Sequence, residues 1–342
     1  MNKKHLLTTS LTELQEFISA AGQPKFRAKQ LQEWMFKNHT LDLDKMTNIP
    51  LKMRDLLADN FELCSSSIVD ESCASDGTAK LLISLADGEA VEMVLIPSPE
   101  RMTFCLSTQV GCPVKCCFCA SGEHGLTRNL TAYEILEQVY YGIKRIGKLP
   151  DNIVFMGIGE GLLNFNNLAL ALDILTDPDK LAMSPRRITV STSGYVPGME
   201  KFAALAKPFV LAVSLHAADD VTRGRIIPEK LRYPIAEILA ACDHYHASTG
   251  RMVTFEYTLL KGINDRLEDA GMLAKLARKH HAKINLIPYN QTRAEYERPS
   301  ERVIFAFRDI LEDGGIAVTL RMEKGSKVSA ACGQLRSRHM KK

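Results

Sequence analysis

Long apolar runs are missing. No stretch of about 18 apolar residues occurs in the chain, so a membrane-spanning helix is not expected. The opening "MNKKHLLTTSLTELQEF" is basic but lacks an apolar core of signal-peptide length, and a cytoplasmic protein is the expectation. Excess charge of one sign is also missing. Lys and Arg number 43 against 40 Asp and Glu, a net charge of +3. A nucleic-acid partner would have to be met by local patches rather than by the chain as a whole. Tryptophan occurs once, as Trp34, which reads as a core residue. Low-complexity segments and internal repeats are absent, and 46% hydrophobic residues suffice for a large core.

Cysteine is plentiful but uneven. Five of the nine lie between Cys105 and Cys119. A secreted disulfide framework would spread them, so an intracellular metal or redox site fits better.

The first 95 residues read as one unit. Helical periodicity runs through "SLTELQEFISAAG", with Ser10 or Thr12 as cap, and through "FRAKQLQEWMFKN". Alternation in "AKLLISLADGEAVEMVLIP" predicts a hairpin turning at Asp87-Gly88. From Phe104, six β-rich runs alternate with helix-period segments: "TFCLSTQVG", "NIVFMGIGE", "RITVSTSGY", "FVLAVSLHA", "VTFEYTLLKG" and "AKINLIPYN". This rhythm predicts an α/β fold with parallel strands, and six units predict an open, partial (β/α)6 barrel over residues 96–298. Residues 299–342 are left as a C-terminal extension. Several runs end in polar residues or glycine, and ligands of such folds sit beyond the carboxyl ends of the strands.

Cys112, Cys116 and Cys119 form C-x3-C-x2-C within "VGCPVKCCFCASGEHGL". Three thiolates at this density suit iron–sulfur clusters or zinc. Structural zinc usually has a second cysteine pair downstream, but Cys242 and Cys332 stand alone. Cys117 could join a site only if two adjacent residues both turned inward. From spacing alone both metals stay open.

The spacing with Phe118, C-x3-C-x-aromatic-C, resembles the signature of radical S-adenosylmethionine enzymes. Within them the chain is similar to the RlmN/Cfr adenosine methyltransferases, through "CLSTQVGC", the cysteine motif, "LTRNLTAYEILEQV", "FMGIGEGLLN", "SPRRITVSTSGYVP", "AVSLHA", "INLIPYN" and "AACGQL". The resemblance implies a radical S-adenosylmethionine barrel preceded by an RNA-recognition unit. It implies a [4Fe–4S] cluster on Cys112, Cys116 and Cys119, with one iron open to S-adenosylmethionine, of which two molecules are used per turnover. Gly159, Glu160, Ser191, Ser214, Leu215, His216 and Asn290 match positions that line the cosubstrate.

Cys332, in "ACGQL", matches a cysteine that carries a methyl group. Cys105 matches a second essential cysteine, which would resolve an enzyme–RNA adduct and leave a disulfide to Cys332. Glu92 matches a glutamate assigned as proton acceptor; an outward strand charge is its alternative. The implied substrate is 23S rRNA, at C2 of adenosine 2503, with adenosine 37 of tRNA as a second target. C8 methylation of the same adenosine and a non-catalytic metal-containing RNA-binding protein are the alternatives. An external electron donor such as flavodoxin and a disulfide reductant are further implied partners, and a monomer is expected.

Local basic patches suit RNA: Lys25, Arg27, Lys29 and Lys37 with Phe26 and Trp34, then residues 277–283 and 335–342. Two departures from the family pattern stand out. Gly161 follows Gly159-Glu160 where proline or alanine is usual, and Lys327-Val328-Ser329 replaces an acidic segment before "AACGQL".

Overall fold

The computed structural model describes residues 3–321 and 329–335, together with the backbone of 338–339. Lys327, Val328 and most of the basic segment 335–342 lie outside the described residues.

The N-terminal unit begins with β1 (Lys4–His5), α1 (Leu11–Ala20), α2 (Phe26–Gln32), α3 (Leu51–Asn60) and β2 (Phe61–Glu62). Ser10 caps α1 in a reciprocal capping box with Glu13, one of the two caps expected. α2 runs on through a π-type turn over residues 33–37. Trp34 is only half-buried there, and its indole N–H donates to Asn48 at 2.6 Å. β3 (Ser67–Cys73), β4 (Ala79–Ser84) and β5 (Glu89–Ser98) then form an antiparallel meander. The β4–β5 hairpin turns at Asp87-Gly88, where Gly88 takes φ 88°.

β5 continues directly into β6 (Arg101–Cys105). From β6 the sheet is parallel, running through β9 (Asn152–Phe155), β10 (Ile188–Thr192), β11 (Val210–Ser214), β12 (Val253–Leu259), β13 (Ala282–Pro288) and β14 (Val318–Leu320). A small ribbon, β7 (Gln109–Gly111) with β8 (Leu126–Asn129), interrupts the series after β6. The intervening helices are α4 (Ala132–Ile146), α5 (Phe165–Thr176), α6 (Val196–Ala203), α7 (Asp220–Ile226), α8 (Ile235–Thr249), α9 (Leu267–Lys279) and α10 (Glu301–Asp313). Backbone pairing returns at β15 (Arg338–His339), antiparallel to the start of β5.

The six expected runs are β6 and β9 to β13. The structure adds a seventh parallel strand, β14, preceded by α10. The extension expected from residue 299 therefore opens with another helix–strand unit. Its strand is three residues long, too short for a β pattern to stand out. The expected boundary at residue 95 falls inside β5, whose ladder to β6 crosses it. No change of composition marks the place, because one continuous sheet spans it.

Helix α4 shows how local sequence sets this frame. Thr131 caps it in a box with Glu134, and Gly147 ends it at φ 79°. Its buried face meets β6 where Gly142 lies over the Phe104 ring. A Cβ at Gly142 would stand 2.2 Å from Phe104 Cε2, so any larger residue overpacks this contact at a cost of about 1–3 kcal/mol. Strand alternation then turns the next residue, Cys105, to the opposite face. That inner face lines the cleft.

Candidate active site

The ribbon β7–β8 holds the cysteine loop at its neck, where Cys112 N–H donates to the Gly125 carbonyl at 2.9 Å. Lys115 turns the chain with φ 57°, and Cys119 N–H closes back on the Cys116 carbonyl at 3.1 Å. The loop is tied to α7, since Cys117 N–H donates to Ile226 O at 3.0 Å. Cys112, Cys116 and Cys119 all line one cleft of roughly 1030 Å³, open mouth included. Cys117 does not line it; burial raises its pKa, and Tyr296 opposes that rise.

Burial pushes the Cys112 thiol up to about 12, and the neighbouring Cys119 adds to the rise. Burial, then Cys119 and Cys112, hold Cys116 well above the ordinary range. Burial makes Cys112 and Cys116 poor free thiolates. Such a set gains from a cation cluster that displaces the protons. Among the described residues no three His, Cys, Asp or Glu side chains converge on a single ion position. A polynuclear cluster does not require one, because each thiolate takes its own iron.

Strand ends supply the opposite wall. Gly159, Glu160, Ser191, Ser214 and His216 line the same cleft. Gly159 has φ 113°, and a Cβ there would stand 2.7 Å from the Gln109 side chain, so only glycine fits. This aims Glu160 inward. Its carboxylate accepts Ser193 N–H at 2.6 Å and Leu162 N–H at 3.3 Å. Burial raises its pKa, and the hydrogen bonds from Ser193 oppose that rise. His216 Nδ1 accepts Thr258 N–H at 3.0 Å, and its ring meets Phe118 edge-on at 4.9 Å. Burial presses the imidazole down to about 3, so it is neutral at physiological pH.

Leu215 sits in the hydrophobic core and does not line the cleft through its side chain. Its carbonyl accepts the buried Arg223 guanidinium at 3.3 Å. Asn290 does not line the cleft either. Its amide reaches the loop that carries Cys332.

That loop, residues 329–335, is docked on the cysteine loop. Ala120 N–H donates to Gly333 O at 2.8 Å, and Ser121 Oγ donates to Leu335 O at 2.7 Å. On the other side, the Gln334 amide donates to Gln291 O at 3.2 Å. Cys332, remote in sequence, thus enters the cleft beside Cys105 at the end of β6. Burial pushes Cys105 up to about 12, and the nearby Cys332 adds to it. Cys332 is exposed as a residue, yet its thiol is enclosed enough for burial to raise its pKa.

Glu92 is 2% exposed, which removes the outward-charge alternative. It lines a separate polar cavity, where Lys80 Nζ stands 3.0 Å away.

Several residues here carry no motif of their own. Arg321, just past β14, lines the cleft and opposes the pKa rise at both Cys105 and Cys332. Glu256, from mid-β12, points into the cleft with both oxygens bonded by Asn285 at 2.8 and 3.0 Å. The one available signal was a charged residue inside an otherwise β-branched and aromatic run, "VTFEYTLL".

Comparison with known proteins identifies the family. The radical SAM superfamily profile matches residues 106–274, and the profile "Ribosomal RNA large subunit methyltransferase N-terminal domain" matches residues 4–63. A "Probable dual-specificity RNA methyltransferase RlmN" of Akkermansia muciniphila is 43% identical over 97% of this chain and 96% of its own length. A "Dual-specificity RNA methyltransferase RlmN" of Geotalea uraniireducens is 42% identical over 99% and 98%. The crystal structure of a radical SAM methyltransferase from Sphaerobacter thermophilus superposes with a TM-score of 0.93, at 43% identity, covering 97% of this chain and 99% of that one. The docked cysteine loop, the inward Glu160 and the two cysteines beside them belong to an enzyme: this chain is a member of the RlmN family of radical SAM RNA methyltransferases.

Proposed function

We propose that this enzyme methylates C2 of adenosine 2503 in 23S rRNA, and adenosine 37 of tRNA, with Cys332 as methyl carrier. The observation that carries this reading is the meeting of Cys105 and Cys332 in the cleft that also holds Cys112, Cys116, Cys119 and Glu160.

Cys112, Cys116 and Cys119 would hold a [4Fe–4S] cluster, which when bound supplies the electron that opens S-adenosylmethionine to radical chemistry. The remaining roles fall to the chain's own groups. Glu160 presents a buried carboxylate to the cosubstrate's amino group, a charge-assisted contact. Gly159, Ser191, Ser214 and His216 shape the wall around it, and Leu215 and Asn290 contribute from behind. Cys332 gives up its thiol proton and attacks the methyl carbon. The new S–C bond forms as the sulfonium–methyl bond breaks, and S-adenosylhomocysteine leaves.

The carried carbon would be joined to C2 once one S-methyl hydrogen atom has passed to the deoxyadenosyl fragment of the second S-adenosylmethionine; the adduct would return one electron to the donor side, and Glu92 takes the ring proton. Cys105 attacks the sulfur of Cys332. An S–S bond forms, the S–C bond breaks with its electron pair going to carbon, and that carbon takes a proton to become the methyl group. A disulfide reductant resets the pair, and a flavodoxin-type donor supplies electrons. The exposed Lys25, Lys29 and Lys37, with Phe26 at 53% exposure, offer the N-terminal unit a surface for phosphate and base contact.

Nucleoside mass spectrometry of RNA treated with the reconstituted enzyme tests the reading. 2-Methyladenosine supports it, 8-methyladenosine replaces the regiochemistry, and unmodified RNA overturns it.

A further inference from the structure

Lys80 and Glu92 meet on the inner face of the N-terminal meander. The register sets Leu82 opposite Glu92 and Lys80 opposite Val94, so the two are diagonal neighbours across β4 and β5. Their charged atoms are 3.0 Å apart, and the side chains are only 10% and 2% exposed. A pair this dry needs further hydrogen bonds to offset lost hydration. Lysine has three donors, and one of them reaches the Ser329 carbonyl at 3.3 Å.

Ser329 belongs to the docked loop that carries Cys332. It lines a polar cavity with Lys80, Glu92, Gln291, Thr292 and Gln334. Residues 330–333 and Leu335 of the same loop line the cleft that contains the cluster cysteines. The carrier loop is thus shared by the two cavities, and Lys80 is the cation that links its outer edge to Glu92. Alternation along β5 puts Glu92 on the same face as Val94 and Ile96, and Ile96 lines the cleft.

We propose that Lys80 is a positioning residue for the methyl-transfer centre: it holds the Glu92 carboxylate against the carrier loop, so that the proton acceptor and Cys332 reach the adenine together. The proposal rests on the reading of Cys332 as carrier and Glu92 as base. Lys80 touches neither the cosubstrate nor the ring; it acts through Glu92 and Ser329. Without the Lys80 Nζ, the Glu92 carboxylate loses its tie to the Ser329 carbonyl and with it its placement against the carrier loop. The loop itself keeps its bonds to Ala120, Ser121, Gln291 and Asn290. The loss therefore falls on adduct resolution rather than on loading of Cys332.

The test uses the full chain, reconstituted anaerobically, with S-adenosylmethionine and a 23S rRNA fragment. Wild type, Lys80→Met and Lys80→Arg are compared by the methyl mass on Cys332, the covalent RNA–protein adduct, and the methylated adenosine. Lys80→Met is expected to load Cys332 within twofold of wild type, to lose product at least tenfold, and to accumulate adduct. Lys80→Arg is expected to restore at least a third of the product. Product within twofold of wild type in Lys80→Met overturns the proposal. So does a parallel fall in loading and product, which marks a merely structural role.

The double variant Lys80→Met with Glu92→Gln removes both charges and guards against misfolding of the single variant. It is expected to load Cys332 and stall at the adduct; normal turnover by it overturns the proposal. A wild type that never gains a methyl group on Cys332 overturns the underlying carrier reading instead.

Discussion

The side-chain amide of Asn290, two residues past β13, donates to the main-chain carbonyl of Cys332 at 3.1 Å. A residue matched to the cosubstrate wall is therefore also a tether of the carrier loop. One such bond contributes about 1 kcal/mol. Asn290→Ala is expected to speed hydrogen exchange over residues 329–335 and slow methyl loading of Cys332 by ~5-fold. The melting temperature should barely move, because Ala120, Ser121 and Gln291 still hold the loop. Unchanged exchange in that segment would refute the tether.

Much of this site was legible because the chemistry sits in local patterns. Cys112, Cys116 and Cys119 lie within one loop, and Gly159-Glu160 occupies a strand end whose direction the parallel sheet dictates. Cys105 stood out only through the family resemblance; its place on the inner face, opposite Phe104, comes from the structure. What the sequence hid is long-range. Nothing in "SAACGQL" says that its backbone docks on Ala120 and Ser121. Lys80, Glu256 and Arg321 become site residues only when sheet register brings them together. The seventh parallel strand was hidden because β14 spans only three residues, too few for its Val-Thr-Leu alternation to stand out.

His216 should govern part of the acid stability. Its folded pKa is lowered from 6.5 to about 3 by burial. The stability tied to the neutral ring is complete above pH 6.5 and is lost as pH falls toward the folded value. That loss is on the order of 3–5 kcal/mol by pH 3. His216→Asn, which tolerates the left-handed φ of 57° at this position, should flatten that slope. Urea unfolding of both proteins from pH 7 to pH 3.5 measures it. Parallel curves would contradict the assignment.

The Gly161 departure has a quiet structural answer. Gly161 lacks a positive φ, and a Cβ there would meet Leu168 at 3.4 Å and Thr108 at 3.5 Å, ordinary contacts. Gly161→Ala should therefore raise stability by about 0.4–1 kcal/mol by restricting the unfolded chain. Cosubstrate binding should be unaffected. Denaturant titration and equilibrium binding report the two halves separately.

Cys105 is nearly fully buried, and it lines the same cleft as Cys332. Cys105→Ala removes the group that would break the S–C bond of the adduct. The variant should load Cys332 normally, form at least tenfold less free product, and migrate in denaturing gels as a covalent RNA complex. Free product at the wild-type rate would remove Cys105 from the reaction.

The most direct measurement follows methyl-labelled S-adenosylmethionine. Reconstituted enzyme is incubated without RNA and digested, and the label is located by peptide mass spectrometry. The label should sit on the peptide containing Cys332, and it should transfer to RNA when RNA is added. Label that reaches RNA while Cys332 is never labelled, or methylated RNA from Cys332→Ala, would contradict the carrier mechanism.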